Sequence, residues 1–224
     1  MRFVEFCAAF GAGLLLTGQV TAQTAPRKSE LQIARELLNQ GKLPEAIALV
    51  DPIIARATSK EAKDPDAICP GVAAAFLQSF MQKEAKNIVV SVENDWCDAM
   101  LLKGYALTEL KRYPESAQIL GTLVRHDPNN AQYLIEYAFA VRSSGETARA
   151  LALYQKAEGL AARSLDKQAG AHFRAAALRG QGYAYIDLQR WEDAAKAYRK
   201  SLKYEPESEL ARNELKFVED HRPR

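Results

Sequence analysis

Three cysteines and three histidines are the side chains best equipped here for redox, metal or nucleophilic chemistry. The cysteines are Cys7, Cys69 and Cys97, and the histidines are His126, His172 and His221. Zinc sites need closely spaced Cys and His ligands, and no histidine lies at ligand spacing from a cysteine. No C-x-x-C supports a redox-active pair. H-E-x-x-H, P-loop and G-x-S-x-G patterns are all absent from the sequence. Gly180-Gln181-Gly182 is half of a dinucleotide fingerprint, but it lies in a helical stretch with no strand before it. Close helix packing is the better reading of those glycines. The expectation is no catalytic residues, no metal site and no cofactor.

What remains is thiol pairing, and the first 22 residues decide its parity. Arg2 opens the chain and an apolar run follows from Phe6 to Leu16. Polar Thr17 to Gln19 and then Val20-Thr21-Ala22 complete the three-part pattern of an export signal cleaved near Ala22. The run is too short for a membrane span, which needs about 20 apolar residues. With residues 1–22 removed, Cys7 leaves and an even pair remains. An exported chain with two cysteines predicts a Cys69–Cys97 disulfide. Closing that loop is worth about 3–4 kcal/mol in the chain-entropy account. The expected location is periplasmic or secreted, with no membrane span after cleavage.

The elements that position these side chains follow from composition and periodicity. The chain has 224 residues, 48% hydrophobic and 26% charged, which fits a folded globular protein of one or two domains. Its net charge of +2 argues against a nucleic-acid partner. Residues 101–128, 135–157 and 178–206 each read as two helices with a tight turn between them. Small residues recur on the first helix at Gly104, Ala138 and Gly182. They recur on the second at Ser116, Ala150 and Ala194, each followed four residues later by a large one: Leu120, Tyr154 or Tyr198. Pro128 and Pro206 close second helices, and Asn130 and Ser208 stand where N-caps are wanted.

This pattern resembles the tetratricopeptide repeat (TPR), whose period is about 34 residues. Registering the small residues on the repeat's eighth position gives units 97–130, 131–164 and 175–208. A weaker copy at 27–60 carries Ala34, Gly41 and Ala46 at the small and turn positions. The family's early tryptophan is missing from all four. The resemblance implies an all-α chain, a right-handed α-solenoid of helix-turn-helix repeats with one irregular insert. Residues 165–208 form the last unit with a lengthened first helix from about Ser164 to Leu188. Residues 209–219 form a capping helix, with Leu210, Leu215, Phe217 and Val218 covering the open end. Residues 61–96 form the insert, with one helix at Gly71–Met81 and a β-branched stretch after Asn87.

In this family the first helices line a concave groove at their second, fifth, ninth, twelfth and thirteenth positions. The resemblance therefore implies groove residues Asp98, Leu101, Tyr105, Thr108 and Glu109. It adds Gln132, Ile135, Phe139, Arg142 and Ser143, then Ala176, Arg179, Tyr183, Ile186 and Asp187. Aromatics stand at the ninth position in all three of these units, and the charges are mixed in sign. The expected role is a non-catalytic scaffold that binds a protein or peptide segment, in envelope or polysaccharide-export assembly. The alternative is an accessory subunit of an envelope enzyme, with a site built on the insert from Asp64, Asp66, Glu84, Glu93 and Asp95. End-to-end self-assembly is a third reading, opposed by the capping helix.

Overall fold

The computed structural model describes residues 29–61 and 95–222, and all regular structure among them is helical. Nine helices follow in order: α1 (Glu30–Asn39), α2 (Leu43–Glu61), α3 (Asp95–Glu109), α4 (Tyr113–His126) and α5 (Ala131–Ser143), then α6 (Thr147–Ala161), α7 (Lys167–Asp187), α8 (Trp191–Ser201) and α9 (Glu209–His221). Each helix packs on the next along the array, so the chain is an all-α solenoid. The first helices also touch one another in sequence, α1 on α3, α3 on α5 and α5 on α7. They form one continuous layer, and α2, α4, α6 and α8 form the other. α3 packs directly on α1 and α2, sharing a core of Leu31, Ala34, Val50, Ile53, Ala99 and Leu102. Most of the 61–96 insert, with Cys69 and the stretches 71–81 and 87–92, lies outside the described residues.

The 34-residue register is written into the backbone. In each hairpin the fifteenth position has positive φ: Gly41 at 72°, Lys111 at 59°, Gly145 at 92° and Gln189 at 58°. The next residue donates its N–H to a carbonyl five back, as Lys42 to Leu37, Arg112 to Leu107, Glu146 to Val141 and Arg190 to Tyr185. That is the Schellman closure of a helix C-terminus. Lys111 and Gln189 adopt the left-handed conformation without glycine, at a cost of about 1 kcal/mol each.

The core repeats with the same register. Position 24 holds Val50, Leu120, Tyr154 and Tyr198, all nearly inaccessible to water. Position 10 holds Ala106, Ala140, Ala184 and, on α9, Val218, each fully buried in the seam between units. Asn130 and Ser208 cap α5 and α9 by accepting from Tyr133 N and Ala211 N, each at 3.3 Å. The lengthened helix begins at Lys167 rather than Ser164. Asp166 sets that start by accepting from the backbone N–H groups of Gln168 and Ala169.

α9 sits on α8 as the first helix of a further repeat would, which changes how it covers the end. Ala211 and Val218 are its buried residues, and Leu215 packs beside them. Leu210 and Phe217, expected to cover the array, remain 51% and 42% exposed. The positions that would face a following second helix carry Arg212, Lys216 and Glu219. Each is spent in an ion pair, with Glu207, Asp220 and Arg199 respectively.

Candidate functional site

The layer of first helices carries the groove positions in rows. α3 supplies Asp98, Leu101, Tyr105 and Glu109, α5 supplies Gln132, Phe139 and Arg142, and α7 supplies Arg179, Tyr183 and Asp187. All but Glu109 and Asp187 are partly buried. Leu101 leans on the core cluster of Trp96, Cys97 and Met100.

Between α3 and α5, the Tyr105 hydroxyl donates to Glu136 Oε1 (3.1 Å) and accepts from Gln132 Nε2 (3.3 Å). Burial, with the nearby Glu136 carboxylate adding to it, pushes the Tyr105 phenol far above its ordinary range. Burial also pushes the Glu136 carboxyl up to about 7, against the lowering pull of the tyrosine hydrogen bond.

Between α5 and α7, the Arg142 guanidinium pairs with Asp187 Oδ2 at 2.9 Å. It also lies over the rings of Phe139 and Tyr183, 5.8 and 5.1 Å from their centroids. Between α7 and α9, the Tyr183 hydroxyl donates to Glu214 Oε1 (3.2 Å). Tyr183 is pushed up to about 12 by burial and by that carboxylate.

Arg179 does not join this row of contacts. It pairs with Glu205 at the foot of its own hairpin, where His172 Nδ1 also meets Glu205 at 2.7 Å. Burial would raise the Glu205 carboxyl, but the bonds from Arg179 and His172 hold it below its ordinary value. Glu158 behaves alike. Burial opposes ionisation, and Lys200 (2.6 Å) and Gln181 (3.0 Å) outweigh it. The Glu158 cluster fastens α6, α7 and α8 together, and the Glu205 cluster ties α7 to the turn after α8.

Glu136 and Glu214 are not among the groove positions that the repeat register implies, although the sequence carries a signal for them. Tyr105 precedes Glu136 by 31 positions, and Tyr183 precedes Glu214 by the same interval. In the middle unit Phe139 has no hydroxyl, and the carboxylate position is Gly180. Phe217 was also missed as a groove residue. It occupies the ninth position of the α9 register and packs on Trp191 (6.5 Å), as Phe139 packs on Tyr113 (6.5 Å). The aromatic row thus runs Tyr105, Phe139, Tyr183, Phe217. Among the described residues no group of three His, Cys, Asp or Glu side chains could hold a metal ion. No described helix is long and apolar enough to cross a membrane.

Two family patterns match the chain. The tetratricopeptide repeat matches residues 175–208. The bacterial transcriptional activator domain matches residues 67–181, just over half of the chain. No curated protein sequence matches. Among solved structures, the chain is similar to a MamA RS-1 double mutant at 18% identity and a TM-score of 0.42, covering 82% of this chain and 98% of that one. It is similar to YrrB, described as a TPR protein with an unusual peptide-binding site, at 18% identity and a TM-score of 0.45, covering 82% and 89%. MamA from Desulfovibrio magneticus RS-1 gives 18% identity and a TM-score of 0.43 over 81% and 98%. With one pattern spanning half of its length, another on its last hairpin and the same fifteenth-position turn in each described hairpin, this chain belongs to the bacterial transcriptional activator domain family and is a tetratricopeptide-repeat protein.

Proposed function

We propose that the protein is an exported, non-catalytic scaffold that holds a protein segment along its first-helix layer. One observation carries this reading. An uninterrupted aromatic row crosses four consecutive first helices, α3, α5, α7 and α9. Stacked repeats present extended concave surfaces of this kind, and aromatic side chains dominate the energetics of many interfaces. The family name points to transcription. The export pattern at residues 1–22 and the net charge of +2 both favour a protein partner over nucleic acid. Envelope or polysaccharide-export assembly is the setting the reading supplies.

Affinity capture from envelope extract tests the groove. Phe139→Ala should reduce capture about tenfold or more. Lys156→Ala, at an exposed site on α6, should leave it unchanged. Equal capture by both variants, with both melting as folded chains, would remove the groove as the binding surface.

Export and thiol pairing are tested together by mass spectrometry of the secreted or periplasmic protein without reduction. The expected species begins near Gln23 and yields a linked peptide joining Cys69 to Cys97. Retention of the leader sinks the export reading, and two free thiols sink the bridge.

A further inference from the structure

We propose that the concave face takes an extended segment in which lysine or arginine alternates with apolar side chains. This rests on the groove reading above and adds the chemistry of its occupant. The charges at the groove positions are mixed in sequence, but the fold does not leave them equally available. Arg142 is closed by Asp187 and lies against two rings. Arg179 is closed by Glu205. The carboxylates along the seams fare differently. Glu136 and Glu214 each receive a tyrosine hydroxyl, and among the described residues neither makes an ion pair. Glu109 is exposed on α3, also without an ion pair there. A neutral hydroxyl satisfies one lone pair of a carboxylate and brings no countercharge.

The aromatic row supplies the apolar part of the match. Phe217 and Leu210 are large and about half exposed on α9. Arg35 holds the ninth position on α1 and sets the other limit, because a cationic segment is repelled there. The acid-and-aromatic stretch therefore runs from α3 to α9. The chain as a whole carries +2, so attraction of a cationic ligand must come from this local field and not from net charge. Helices pack about 9 Å apart and an extended chain advances about 3.3 Å per residue. Four first helices thus match a segment of about ten to twelve residues.

The test is fluorescence anisotropy at pH 8, where Glu136 is ionised, with the full chain and two labelled peptides. One peptide of about twelve residues contains lysine, leucine and serine, and the other carries glutamate at every lysine. The lysine peptide should bind and the glutamate peptide should not. The Glu136→Gln/Glu214→Gln pair keeps both hydroxyl acceptors and should weaken binding about tenfold. Phe217→Ala should weaken it by a similar factor. Equal or tighter binding of the glutamate peptide overturns the proposal. If that binding still falls with Phe217→Ala, the groove reading survives alone. If no groove variant changes the binding of either peptide, both readings fall. Self-association of the chain that Phe217→Ala abolishes, without peptide binding, assigns the face to a second copy and also overturns the proposal.

Discussion

Gly182→Ala is expected to destabilise the protein by about 2 kcal/mol, although alanine is the better helix former. In a helix interior the exchange alone would gain about 1 kcal/mol. Here a Cβ would stand 2.7 Å from both Cε atoms of Tyr198 and closer still to Cζ. Tyr198 is fully buried between Ala194, Ala195 and Val218, so its ring has nowhere to retreat. Overpacking of that kind costs about 1–3 kcal/mol, with the upper end favoured against a rigid ring. Gly180→Ala meets the Tyr154 ring in the same way. Gly159→Ala is the control. Its Cβ would approach only Arg163 Nη1, at 3.9 Å, and it should be neutral or stabilising by up to about 1 kcal/mol. Urea unfolding of the three variants measures the difference. If Gly182→Ala moves the midpoint in the same direction as Gly159→Ala, the close approach of α7 and α8 is not what selects glycine. The pair Gly180 and Gly182 then has a mechanical meaning. Each seats a tyrosine ring, one from the preceding unit and one from its own.

How far the sequence alone discloses this molecule depends on the separation over which each residue acts. The small-then-large pattern on paired helices is local to one unit, and Gly104, Ala138 and Gly182 disclose it. The caps Asn130 and Ser208 are also local, because a side-chain oxygen and an N–H three residues on suffice. The turns at Lys111 and Gln189 are not legible as left-handed residues. Their Schellman bonds outweigh the preference for glycine that marks Gly41 and Gly145. The groove is legible as a set of positions and illegible as a set of contacts. Nothing near Arg142 in the chain says that Asp187 and Tyr183 will consume it, because both belong to the next unit, beyond the ten extra residues. Leu210 and Phe217 mislead for a related reason. Apolar residues on a terminal helix look like cover for the core, and here the register turns Ala211 and Val218 inward instead.

Glu136→Gln is expected to raise stability by about 2–3 kcal/mol at pH 8 and to leave it nearly unchanged at pH 4. The Glu136 carboxyl rises from an ordinary value of 4.5 to about 7 on folding because burial disfavours its charge. The folded state therefore binds this proton more tightly than the unfolded chain does. Its contribution is fully present below pH 4.5 and is lost as pH rises through about 7. Glutamine has no charge to bury and still accepts the Tyr105 hydroxyl. The variant should therefore show no such decline, and the two pH profiles should converge in acid. Tyr105→Phe acts with the opposite sign. It deletes the hydrogen bond that favours the ionised form, so it should steepen the loss between pH 5 and pH 8. Denaturant midpoints across that range read both effects, and parallel profiles for wild type and Glu136→Gln would refute the assignment. The same arithmetic connects stability to binding. A carboxylate that is costly to ionise in the empty protein becomes less costly once a cation reaches it. A bound lysine or arginine should therefore restore part of the stability that is lost above neutral pH.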